Sequence, residues 1–209
     1  CISEPYIVSG YKSHNEMNSN NINDIYIDEE KRIWIANYPE GITIIDNRYK
    51  SYNWIKHSIG NRQSLVNDQV HSVIEDSDGD LWFGTSNGIS LYQSKTGQWH
   101  SFLSSFDHQL KNKNHIFITL CEVSPGIIWA GGYTSGVYKI NKRTLSVEYF
   151  SPYLLNPDNI RPDKYIRDIV KDSKGYIWSG GFYNLKCFDL SLNSVRLYPG
   201  INSVTAIAE

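Results

Sequence analysis

Trp34, Trp82, Trp129 and Trp178 recur at steps of 48, 47 and 49 residues, and each sits in the same local phrase. The clearest copy runs from Val70 to Tyr92. It has an apolar pair (Val70, Val73), an acidic turn (Asp76-Ser77-Asp78-Gly79-Asp80), the run Leu81-Trp82-Phe83-Gly84-Thr85, then Gly88-Ile89. The apolar pair is three residues apart in every copy, with its second member nine residues before the tryptophan: Ile22/Ile25, Val70/Val73, Phe117/Leu120 and Ile166/Ile169. A fifth pair, Val204/Ile207, follows near the end of the sequence.

A period in the forties, rich in β-formers and turn residues, predicts the blades of a β-propeller. Each repeat divides into four short strands. Around the second copy these are A (70–76), B (81–85), C (89–93) and D (98–102), bounded by Gly, Asp, Asn and Ser. The fold class is therefore all-β: four four-stranded blades with partial blades at both ends. The predicted divisions, all within one propeller domain, begin with the end of a preceding blade and its D–A loop at 1–20. Blades follow at 21–56, 57–102, 103–150 and 151–199, and the first strand of a further blade at 200–209. The B–C connection ends in Gly41, Gly88 and Gly136, with Asn184 in the fourth copy. Asn is the next most tolerant residue of a left-handed backbone, so the register holds. Each tryptophan begins strand B, where blades pack face to face. The small residues after it (Gly84, Ala130-Gly131-Gly132, Ser179-Gly180-Gly181) are expected to admit the neighbouring blade closely.

Composition narrows the function classes. The chain is 40% hydrophobic and 13% aromatic with a formal charge of −2, and no basic stripe stands out, so no nucleic-acid partner is expected. No run of 18 apolar residues is present, so no membrane contact is expected of this segment. Cys1, Cys121 and Cys187 show no metal spacing; small buried hydrophobes or a single disulfide both fit. Asp76-Ser77-Asp78-Gly79-Asp80 places its Gly fourth, whereas a calcium loop needs it sixth, and the equivalent Asp172-Ser173-Lys174-Gly175 has a lysine. A hairpin turn is the expectation there, with no metal and no cofactor. The double glycines Gly131-Gly132 and Gly180-Gly181 follow their tryptophans, the reverse of the kelch order. The six histidines form no HxH or HxxxH pair, and no catalytic motif is present.

The phrase Val-x-x-Ile, Asp-x-x-Gly-x-Leu/Ile-Trp-x-Gly-Thr, Gly-Ile/Leu resembles the two-component regulator propeller repeat. The second copy matches almost throughout. The fourth has Ser179-Gly180-Gly181 where Gly-Thr is usual, the first has Glu29-Glu30-Lys31-Arg32 at the turn, and the third is the most divergent. The connector Asn61–Asn67 resembles that family's D–A loop. The resemblance covers roughly residues 5–209. It implies an extracytoplasmic, periplasmic sensor domain of a hybrid two-component system of the Bacteroides type, detecting an oligosaccharide. In larger members tandem propellers precede a β-sandwich, a membrane span and a histidine kinase. None of those later parts is visible here, so this segment is expected to sense or scaffold, not to catalyse. A pure interaction scaffold and a lyase-like propeller enzyme are the rival classes. Expected partners are an oligosaccharide and either the remaining blades of a parent protein or further copies of the chain.

Strand order places the B–C and D–A loops on one face, and long loops on a rigid scaffold are where function concentrates. The candidate ligand residues there are Arg62, Arg161 and Arg167 as cations and Tyr38, Tyr133, Phe182 and Tyr183 as stacking surfaces. Arg167 lies between Ile166 and Ile169, so its side chain should face the central channel. His71 and Asn23 occupy the same place in other copies, with Asn202 or Thr205 as the fifth contributor. No catalytic residue is assigned.

Overall fold

The computed structural model describes residues 21–39, 41–46, 51–104, 115–150 and 164–209, without the side chains of 46 and 51–54. Among them there are sixteen strands and no helix. The first blade is β1 (Ile22–Ile27), β2 (Ile33–Asn37), β3 (Gly41–Asp46) and β4 (Ser51–Ile55). The second is β5 (Val70–Glu75), β6 (Leu81–Thr85), β7 (Gly88–Gln93) and β8 (Gln98–Phe102). The third is β9 (Phe117–Ser124), β10 (Ile127–Gly132), β11 (Gly136–Asn141) and β12 (Ser146–Phe150). The fourth is β13 (Ile166–Lys171), β14 (Ile177–Gly181), β15 (Leu185–Asp189) and β16 (Ser194–Tyr198). Each set forms one antiparallel meander. The first strands β1, β5, β9 and β13 are neighbours in succession, which makes them the inner strands.

The core lies between blades. Trp34, Ala36, Ile42 and Ile44 of the first blade pack on Val70, Val73, Leu81 and Phe83 of the second. Trp82, Ile89 and Leu91 meet Phe117, Leu120 and Ile128 of the third, and Trp129 and Val137 meet Ile166, Ile169 and Phe188 of the fourth. The repeated tryptophans are thus equivalent wedges: Trp34, Trp82 and Trp129 are 3%, 0% and 2% exposed. Trp178 takes the same strand position but is only half-buried, lying against Tyr198 of its own blade.

Two residues after each tryptophan the next blade arrives. A Cβ on Gly84 would lie 2.8 Å from the Phe117 carbonyl oxygen, one on Gly131 2.6 Å from Ile166 Cγ2, and one on Gly180 2.4 Å from Val204 Cγ1. The Gly180 contact shows that residues 203–209 lie against the fourth sheet as strand A of one blade lies on the sheet before it. Val204 N–H donates to the Gly181 carbonyl at 2.9 Å and Ile207 N–H to Asp168 at 2.7 Å. Residues 201–209 pair with no described strand and are held by single bonds across the blade face. The partial blade expected at 1–20 lies outside the described residues.

Candidate ligand site at the inner strands

The three-residue spacing of the apolar pair is not a strand period, because side chains alternate every residue along a strand. A β-bulge reconciles it. Near the start of each inner strand one residue drops out of the pairing register with strand B: Asn23, His71, Ile118 and Arg167. A bulge turns its extra residue away from the ladder and re-aims its side chain. The apolar pair then shares the blade interface while the bulged residue faces the centre.

All four bulge residues line one open cavity of about 570 Å3, a size typical of small-ligand sites, roughly 300–1,000 Å3. Gln69, Ile116 and Tyr165, each just before the first apolar residue of its inner strand, add a second tier. The B–C tips add a third with Tyr38, Ser86 and Tyr133. Those tips are equivalent, four residues after each tryptophan. Their N–H groups donate to the backbone at the start of the same blade's inner strand, Tyr38 to Asn21, Ser86 to Gln69 and Tyr133 to Ile116, at 2.8–2.9 Å.

Polar contacts join the tiers. His71 Nε2 lies 2.7 Å from Ser86 Oγ, and its ring centroid is 6.3 Å from that of Tyr38. Burial holds the His71 imidazole below its ordinary pKa. Arg167 Nη1 donates to the Tyr165 hydroxyl at 2.6 Å. Tyr165 in turn stacks on Phe182 at 4.2 Å and 24°, and meets Tyr133 edge-on at 4.9 Å.

The expected ring is therefore partly assembled. Arg167, His71, Tyr38 and Tyr133 converge, with Asn23. Phe182 joins through Tyr165 without lining the cavity. Tyr183 is exposed outside it, its carbonyl accepting from Lys186 Nζ at 3.0 Å. Arg62 is exposed and does not belong to the site. Its connector is pinned to the second blade: Leu65 is fully buried, Val66 N–H donates to Ser90, and Gln63 bonds the Trp99 backbone on the outer strand. Arg161 lies outside the described residues. Thr205 does not line the cavity, and Asn202 caps the Asn184 N–H at 3.0 Å instead. Tyr165 was missed by the sequence reading, although its place before the first apolar residue is shared by Gln69 and Ile116. Ile118 interrupts the polar ring.

The acidic turn of the second blade is the hairpin expected, closed by Gly79 N–H to the Asp76 carbonyl and Asp76 N–H to the Asp80 carbonyl at 2.9 Å each. Lys142 Nζ, from the third blade, sits among Asp76, Asp78 and Asp80 at 2.7–2.8 Å. Among the described residues no group of three or more His, Cys, Asp or Glu is placed to hold a metal ion. Cys121 and Cys187 are free thiols, and burial pushes Cys121 up to about 11.

Four antiparallel blades with a polar and aromatic cavity among their inner strands define a repeat-built β-propeller. The family model of the two-component regulator propeller matches residues 16–38 and 64–87. Among solved structures, the extracellular domain of a candidate hybrid two-component system, BT3049 of B. thetaiotaomicron, is similar over 90% of this chain and 25% of its own. Identity there is 21% and the TM-score 0.73. The extracellular domain of a candidate one-component system, BT4673, from the same organism is 22% identical, covering 89% of this chain and 25% of that one with a TM-score of 0.65. Virginiamycin B lyase of Staphylococcus aureus is 16% identical over 86% of this chain and 55% of its own, with a TM-score of 0.64. The chain thus spans about a quarter of the two extracellular domains. These likenesses establish the fold. No curated protein matches the sequence. Among the described residues no helix is long and apolar enough to cross a membrane.

Proposed function

We propose that the chain is a ligand-sensing propeller segment of an extracytoplasmic two-component sensor, in the periplasm, and that its ligand is a carbohydrate. One observation carries this reading: the cavity that gathers Asn23, His71 and Arg167 with Tyr38 and Tyr133. Aromatic faces suit the C–H surface of a sugar ring, and amide, imidazole and guanidinium groups suit its oxygens. The repeat family and the extracellular domains of similar fold support the sensory role.

A panel of glycan fragments added to the chain during thermal unfolding tests the reading. A ligand that binds only the folded state raises the melting temperature with its concentration. A fragment that does so, and loses the effect in Arg167→Ala, is the expected result. A panel that leaves the melting temperature unmoved counts against a carbohydrate site here and for a scaffold.

A further inference from the structure

Two carboxylates beside the cavity are turned out of it. Asp24 and Asp168 directly follow the bulge residues Asn23 and Arg167. Asp24 accepts from the Val73 N–H at 3.0 Å and Asp168 from the Ile207 N–H at 2.7 Å, both across blade faces. Among the described residues no Asp or Glu lines the cavity, and Arg167 is the one permanently charged residue there. Among the described residues Arg167 forms no ion pair; the bond to Tyr165 engages one nitrogen of a five-donor fork. A guanidinium held to an aromatic wall, in a cavity whose described lining carries no acid, is a complement for an anion.

The wall says what carries the anion. Tyr133 and Phe182 flank Tyr165 and are 46% and 53% exposed, although both lie in the ring cluster beside Arg167. A bare inorganic anion has no use for such surfaces, whereas a pyranose does. We infer that the cavity takes an acidic sugar, whose carboxylate or sulfate pairs with Arg167 while Tyr133, backed by the Tyr165–Phe182 stack, holds the apolar side of the ring. This rests on the carbohydrate reading above and narrows it to one charge class.

The test titrates the whole chain, by calorimetry, with matched disaccharide pairs differing only in the acidic group: glucuronate- against glucose-terminated, and 6-sulfated against plain galactose-terminated. Inorganic sulfate is run alone. The acidic member of at least one pair is expected to bind about 10- to 100-fold tighter than its neutral counterpart. Arg167→Gln, at an exposed position, should erase that difference by weakening the acidic sugar alone. If paired sugars bind equally, or the variant weakens both equally, the acidic inference is overturned and the carbohydrate reading stands. If inorganic sulfate binds as tightly as the acidic disaccharides, the inference is overturned in favour of a simple anion site. If no sugar binds, both readings fall together.

Discussion

Lys142 Nζ lies 2.7 Å from Asp76 Oδ2, the oxygen that also accepts the Trp82 indole N–H at 2.8 Å. One carboxylate therefore orients the wedge of the second blade and anchors the third blade to it. The indole bond repeats as Asp28–Trp34 and Asp172–Trp178, both at 2.9 Å. The third copy has Val123-Ser124 at its turn and no such aspartate.

Lys142→Met should cost about 2–3 kcal/mol in denaturant unfolding, because Asp76 is buried and loses its cation. The effect has a pH signature. Burial opposes the charge on Lys142, but hydrogen bonds to Asp76, Asp78 and Asp80 outweigh it and raise the amine above its usual pKa. A raised lysine stabilises fully below its unfolded value, about 10.4, and loses that contribution as pH climbs through the folded one. Asp78 is held below its ordinary value by the Lys142 hydrogen bond and charge, so its share is lost as pH falls. Wild type and variant should converge in stability at both extremes and differ most near neutrality. A gap independent of pH would show that packing, not charge, makes the contact.

Gly84→Ala should destabilise by about 1–3 kcal/mol, since the added carbon meets the Phe117 carbonyl oxygen at 2.8 Å and backbone cannot swing aside. Ala36 fills the equivalent place in the first blade, where it is buried. Ala36→Gly in the same thermal assay should therefore bring no gain.

Lys31→Gly should stabilise by about 0.5–1 kcal/mol. Lys31 has φ 65° at the turn position that Gly79 and Gly175 fill in other blades with φ 83° and 89°. Its N–H closes the same turn onto the Asp28 carbonyl at 2.9 Å. The denaturation midpoint of the variant reads this directly, and a lower midpoint would contradict it.

Tyr38→Ala and His71→Ala should each weaken a sugar bound in the cavity about tenfold. Arg62→Ala should leave its affinity unchanged, because Arg62 is exposed on a connector that Gln63, Leu65 and Val66 pin to the second blade away from the cavity lining. Calorimetric titration of the three variants separates a site at the inner strands from one spread over the loop face.

The sequence by itself determined the repeat: its period, its four strands, its turns and the equivalence of the tryptophans. These rest on local chemistry, since turn conformation and strand alternation are decided by residues close in the chain. Asn184, with φ 47° where the other copies have glycine, follows that logic. It also pointed to Asn23, His71 and Arg167 as inner-strand residues facing the centre, although the bulge behind that placement, and Ile118 as its fourth member, emerged only from strand pairing. What tertiary structure alone decided are contacts between residues about 45 to 65 positions apart, such as Ser77 with Glu122 and Lys142 with Asp78. No local pattern encodes them, because they depend on how one blade lies on the next. The same holds for the long connectors: burial of Leu65 fixes where Arg62 goes, and the charge of Arg62 has no part in it.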